Sequence, residues 1–116
     1  MKLSMQITKL RDVAIIHCVG RIVFRREAAA LHRNVHGILG EVRHCILHVG
    51  GVTHMDACGL GTLAALCKST HALGGSLKLT NVNRRLYELL RITGLASVMQ
   101  FYSSEEDAVR ACGQVA

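Results

Sequence analysis

The stretch Val52-Thr53-His54-Met55-Asp56-Ala57-Cys58-Gly59-Leu60-Gly61 runs extended and largely apolar up to Met55 and then changes period. From Ala57 onward Leu60, Leu63 and Cys67 recur at helical spacing, with Leu66 and Leu73 less cleanly placed, until Gly74-Gly75 stops the helix. Strand gives way to helix in one step, at Asp56. A carboxylate there can cap the unpaired N–H groups of the first turn, and the positive end of the helix dipole favours an anion beside it. Gly59 and Gly61 leave that turn bare enough for another backbone to approach closely.

On the upstream side, Cys45-Ile46-Leu47-His48-Val49 is a short apolar run bounded by Gly50-Gly51, as in a central strand covered on both faces. Arg25 to Leu39 carries Ala28, Leu31, Val35, Ile38 and Leu39 at helical spacing and is closed by Gly40. Met5–Leu10 and Val13–Val19, joined by Arg11-Asp12, read as a hairpin, with Gly20 ending its second strand. Downstream, Ser76–Thr80 reads as a strand and Asn83 caps a helix bearing Leu86, Leu89 and Leu90 that ends at Gly94. Ala96–Tyr102 reads as a last strand, and Ser103-Ser104-Glu105-Glu106 as a capping box for a helix over Ala108–Cys112. The alternation predicts an α/β fold: a mixed, mostly parallel sheet of about four to five strands with about four helices and an N-terminal antiparallel hairpin. With no proline, linker composition or internal repeat, residues 1–116 are expected to form a single domain.

The formal charge of +6 is dispersed: Glu27 interrupts Arg25, Arg26 and Arg33, and Glu88 interrupts Arg84, Arg85 and Arg91. Two Phe, two Tyr and no Trp are too few for a stacking platform, so direct nucleic-acid binding is not expected, and the basic balance suits an acidic protein partner. No apolar run is long enough to span a bilayer, and Met1-Lys2-Leu3-Ser4-Met5-Gln6 lacks the pattern of an export signal, so a cytoplasmic protein without membrane insertion is expected. The five cysteines are odd in number, irregularly spaced and lack a Cys-x-x-Cys pair; they read as reduced core thiols, Cys58 as a small buried cap residue.

Among the seven histidines, His32 and His36 have the i, i+4 spacing that can place two imidazoles on one helix face. A third ligand is missing, Arg33 stands where a helical zinc-protease motif needs Glu, and Cys45 and His48 point to opposite faces of a strand; no metal site is expected. His54, Asp56 and Cys58 are near neighbours on a strand-to-turn segment, a poor geometry for nucleophilic catalysis, and no Gly-rich loop precedes Lys-Ser or Lys-Thr. Neither an enzyme nor a cofactor is expected.

From Met5 to Val109 the chain resembles the STAS domain family, which includes bacterial anti-sigma factor antagonists. The landmarks fall in order: Val19-Gly20-Arg21-Ile22 closing the second strand, Ile46-Leu47-His48-Val49 as the central strand and Val52 to Gly61 as the signature turn. Leu73-Gly74-Gly75-Ser76-Leu77-Lys78-Leu79 and Leu89-Leu90-Arg91-Ile92-Thr93-Gly94-Leu95 follow. The resemblance implies an anti-sigma factor antagonist whose partner is a serine-kinase anti-sigma factor of the histidine-kinase-like ATPase type, with a homodimer left open. It implies a partner-binding surface of Met55, Asp56, Ala57, Cys58, Gly59, Leu60 and Gly61, with Arg21, Phe24 and Arg25 beside it. In the family an Asp-Ser-Ser-Gly or Asp-Ser-Ala-Gly turn carries a phosphorylatable serine, and phosphorylation breaks the contact; Ala57 stands in its place and has no hydroxyl. Acidic positions of the family appear as His48 and as Arg21-Ile22-Val23, which implies that polar groups around the site have changed as well. The alternative role is a STAS accessory or scaffold subunit of a transporter or other signalling complex.

Overall fold

Ser4–Leu10 (β1) and Val13–Ile22 (β2) form the antiparallel hairpin, with Leu10 opposite Val13 and Arg11 in the left-handed region at φ 56°. Three parallel strands follow: His44–Met55 (β3), Ser76–Thr80 (β4) and Gln100–Tyr102 (β5), in the spatial order β1-β2-β3-β4-β5. The connecting helices are Phe24–His36 (α1), Ala57–Ala72 (α2) and Arg84–Ile92 (α3), and Glu105–Gly113 (α4) closes the fold. This architecture is a computed structural model in which Leu3 to Gly113 are described. The N-terminal reading falls partly on Met1 and Lys2, and the domain limits also on residues 114–116, all outside the described residues.

Alternate strand residues face opposite layers. Ala14, Ile16 and Cys18 of β2, with Cys45, Leu47 and Val49 of β3 and Leu77 and Leu79 of β4, bury one face against α1, α2 and α3. Val13, Ile15 and Ile46 on the other face pack against Ala108 and Cys112 of α4. Side-chain caps set two helix starts as well as that of α2: Asn83 Oδ1 accepts the Leu86 N–H at 2.8 Å, and Ser104 Oγ accepts the Asp107 N–H at 3.2 Å. In α4 the capping hydroxyl is therefore Ser104, reaching Asp107.

The structure departs from expectation at several places. The extended run expected up to Met55 is a strand and ends there, but it is not separated from Cys45–Val49 by Gly50-Gly51: the two stretches are one strand, β3, and β2 continues past Gly20 to Ile22. The two strands shift register between His17 and Val19 and again between Gly20 and Arg21, and a Cβ on Gly51 would come within 2.9 Å of Val19 Cγ2, so glycine is needed for that approach. α1 ends at His36; Ile38 and Leu39 enter the core from the turns that follow. The buried stripe of α2 is Gly59, Leu63, Leu66 and Thr70, with Leu73 left 64% exposed. The segment expected as a strand from Ala96 is a 3₁₀ turn, Leu95–Val98, followed by only three strand residues. Cys18, Cys45 and Cys112 are buried and Cys67 half-buried, whereas Cys58 is exposed rather than a buried cap residue.

Candidate docking surface

β2 and β3 end side by side, Ile22 opposite Met55, and each passes directly into a helix. The residue before α1, Val23, has no side chain able to cap it, and Phe24 is held at φ 64°, an uncommon conformation for a bulky residue. The missing acceptor comes from the other strand end. Asp56 Oδ2 accepts the Phe24 N–H at 2.8 Å, while Oδ1 accepts those of Cys58 at 3.0 Å and Gly59 at 3.2 Å. One carboxylate thus serves the starts of both α1 and α2. These main-chain donors, Phe24 foremost, hold its pKa below the usual carboxylate range, so it is ionised at neutral pH.

The two glycines of the turn play different parts. A Cβ on Gly59 would lie 2.5 Å from the Ile22 carbonyl oxygen and 2.7 Å from Met55 Cγ, so this residue is buried and lets α2 press onto the end of β2. Nothing lies within 4 Å of a Cβ on Gly61, which faces outward. Ala57 and Cys58 are likewise exposed, whereas Met55, Asp56 and Leu60 are half-buried. Between α1 and α2 runs an open groove with Ala57, Cys58 and Gly61 on one side and Arg25, His32 and Arg33 on the other.

Of the residues proposed from sequence, Arg25 and the outward positions of the turn come together in this groove, and Phe24, the first residue of α1, is 62% exposed. Arg21 does not join them: it pairs in register with His54 and lies on the opposite face of β2 from Ile22. His48 is also remote. It sits in the middle of β3, in register with His17 and Thr80, roughly 25 Å along the strand from the turn. Its ring lies 5.0 Å from that of His17, so its replacement of an acidic residue does not alter the surroundings of Ala57. In the sequence His32 and Arg33 bear only on a metal motif. Their spacing of seven and eight from Arg25 is the helical signal that places all three on one face. His32 and His36 stack at 5.3 Å, and no group of three or more potential metal ligands occurs among the described residues.

An α/β sheet entered by a hairpin, with a capped helix start exposed at the ends of two parallel strands, defines a small single-sheet α/β domain. The STAS domain profile matches residues 4–108, and the chain belongs to the STAS domain family. The anti-sigma-B factor antagonist of Bacillus subtilis (strain 168) is 39% identical over 70 residues, which span 60% of this chain and 62% of that protein. The match thus covers less than two-thirds of that relative's own length. In fold, the chain is similar to the anti-sigma factor antagonist SpoIIAA in its unphosphorylated form, with TM-score 0.75 and 16% identity over 93% of this chain and 96% of the other. It is also similar to part of the murine Solute Carrier 26 family member A9 anion transporter, with TM-score 0.79 and 20% identity over 92% of this chain and 18% of the transporter. Among the described residues no helix is long and apolar enough to cross a membrane.

Proposed function

We propose that the chain is a cytoplasmic anti-sigma factor antagonist that docks on a serine-kinase anti-sigma factor of the histidine-kinase-like ATPase type and so frees a sigma factor. The observation that carries this reading is the Asp56-held turn, with Ala57, Cys58 and Gly61 presented beside the basic side of α1. The proposed contact surface is Met55, Asp56, Ala57, Cys58, Leu60 and Gly61 with Phe24 and Arg25; Gly59 supports it from beneath, and Arg21, on the other face of β2, is left out of it. Because Ala57 offers no hydroxyl, docking is not released by phosphate at that position. Gly61→Arg tests the surface, since its side chain enters open space, whereas a side chain at Gly59 would collide with Ile22 and confound folding with binding. In a pull-down with the cognate kinase, wild type is expected to bind and Gly61→Arg to fail. Equal binding by the two would overturn the surface, and phosphate mapped to Thr53 or Thr62 after incubation with kinase and ATP would overturn the absence of control at the turn.

A second role, as accessory subunit of a transporter, is supported by the fold likeness to the anion transporter. Recovery of a permease in place of an ATPase when the chain is purified from its host would establish that role instead.

A further inference from the structure

At the other end of the parallel strands from Asp56, the β1–β2 turn, the start of β3 and the end of α4 enclose a cavity of about 500 Å³. That volume lies in the range of small-molecule pockets. Leu10, Val13 and Val109 give it apolar walls, while Arg11, Arg43 and His44 line it with donors. Asp12, its carboxylate, is already engaged: Oδ1 accepts the Arg43 N–H at 3.0 Å, and Oδ2 lies 3.7 Å from Arg43 Nε. Among the described residues Arg11 has no ion pair.

Behind the cavity Lys78 is only 5% exposed, and no carboxylate lies within ion-pair distance of it among the described residues. Its Nζ donates to Ser76 Oγ at 2.6 Å, and the same oxygen lies 2.8 Å from His44 Nδ1. An ammonium can only donate, so Ser76 Oγ accepts from Lys78 and keeps its own proton available to Nδ1; in that arrangement the neutral imidazole carries its proton on Nε2. Burial first, and then the nearby Lys78 charge, hold the His44 pKa below its ordinary value, so the ring is neutral at pH 7. An excess of cations over carboxylates, one neutral donor and hydrocarbon walls complement a single negative charge attached to an apolar body. A phosphate dianion would need more donors and would gain nothing from the walls.

We propose that this cavity binds a small monocarboxylate with an apolar tail, its carboxylate received by His44 Nε2–H and Arg11 and its tail by Leu10, Val13 and Val109. The site is separate from the docking surface. Titration of the full ¹⁵N-labelled chain with sodium hexanoate tests it, with 1-hexanol and sodium phosphate in parallel. Hexanoate is expected to shift the amides of Val13, His44 and Val109 saturably, and the other two probes to leave them in place. His44→Phe, which keeps a ring but removes the donor, and Arg11→Asn, which removes the cation at a left-handed position suited to asparagine, are each expected to weaken hexanoate roughly tenfold or more. Non-saturable shifts, equal shifts with phosphate, or wild-type affinity in both variants would overturn the assignment.

Discussion

The carboxylate of Asp56 and the main-chain N–H of Phe24, 32 positions apart in the chain, meet at 2.8 Å. This bond ties the start of α1 to the start of α2 and supplies α1 with the cap that Val23 cannot provide. The groove between the two helices therefore depends on one side chain at its head.

Removing that side chain should loosen both helix starts together. Asp56→Ala is expected to lower stability by about 1–2 kcal/mol, the usual range for loss of a strong cap, and Asp56→Asn by less. The folded-state pKa of Asp56 lies below its unfolded value, so its contribution is present above about pH 4 and fades as pH falls through the folded pKa. Urea unfolding of wild type and Asp56→Ala should accordingly show a gap at pH 7 that narrows toward pH 3; a gap independent of pH would contradict the role assigned to the carboxylate.

Gly59 and Gly61, two residues apart on α2, should respond in opposite ways to the same methyl group. Gly59→Ala is expected to destabilise by about 1–3 kcal/mol, because the Ile22 main chain must give way at 2.5 Å. Gly61→Ala meets nothing within 4 Å and should stabilise by up to about 1 kcal/mol through helix propensity. Denaturant midpoints of the two variants measure the contrast.

Restoring a hydroxyl should restore the trigger. With the cognate kinase and ATP, Ala57→Ser is expected to acquire phosphate on residue 57, detectable by mass spectrometry, while the wild-type turn acquires none. Ala57→Asp, carrying a charge where phosphate would sit, should weaken the kinase complex by about tenfold or more.

The thiols should react in order of exposure. Cys58 is open to solvent, whereas burial pushes the Cys18 thiol up to about 12 and Cys45 to about 11, and also raises Cys67 and Cys112. Brief treatment of the native protein with iodoacetamide is therefore expected to label Cys58 first, with Cys18 and Cys45 labelled only on unfolding. Peptide mapping reads the order directly.

Local patterns announced most of the elements because the burial that produces them is local. Ala28, Leu31 and Val35 mark one helical face in any sequence, and Asn83 and Asp56 are recognisable caps wherever they stand. Where the reading failed, the determinant lay on another strand or helix. Gly50-Gly51 resembles a strand end until β2 is seen to pack against it, and the left-handed Phe24 has no explanation without Asp56. Cys58 resembled a buried cap residue because a small apolar side chain at a helix start is usually covered, and only the position of α1 shows that this one is not. His48 looks close to the turn only if a strand ends at Gly50-Gly51; because β3 runs on to Met55, it lies seven residues back along the strand.

The exposure of Ala57 has one more consequence. Its side chain contributes no hydrogen bond to the turn, which Asp56 holds through main-chain donors alone, so the shape of the surface and the means of switching it off are separable. Under the proposed role, a domain with the shape and without the switch would act by stoichiometry: the amount of sigma factor it frees would be set by how many copies the cell makes and how quickly it removes them.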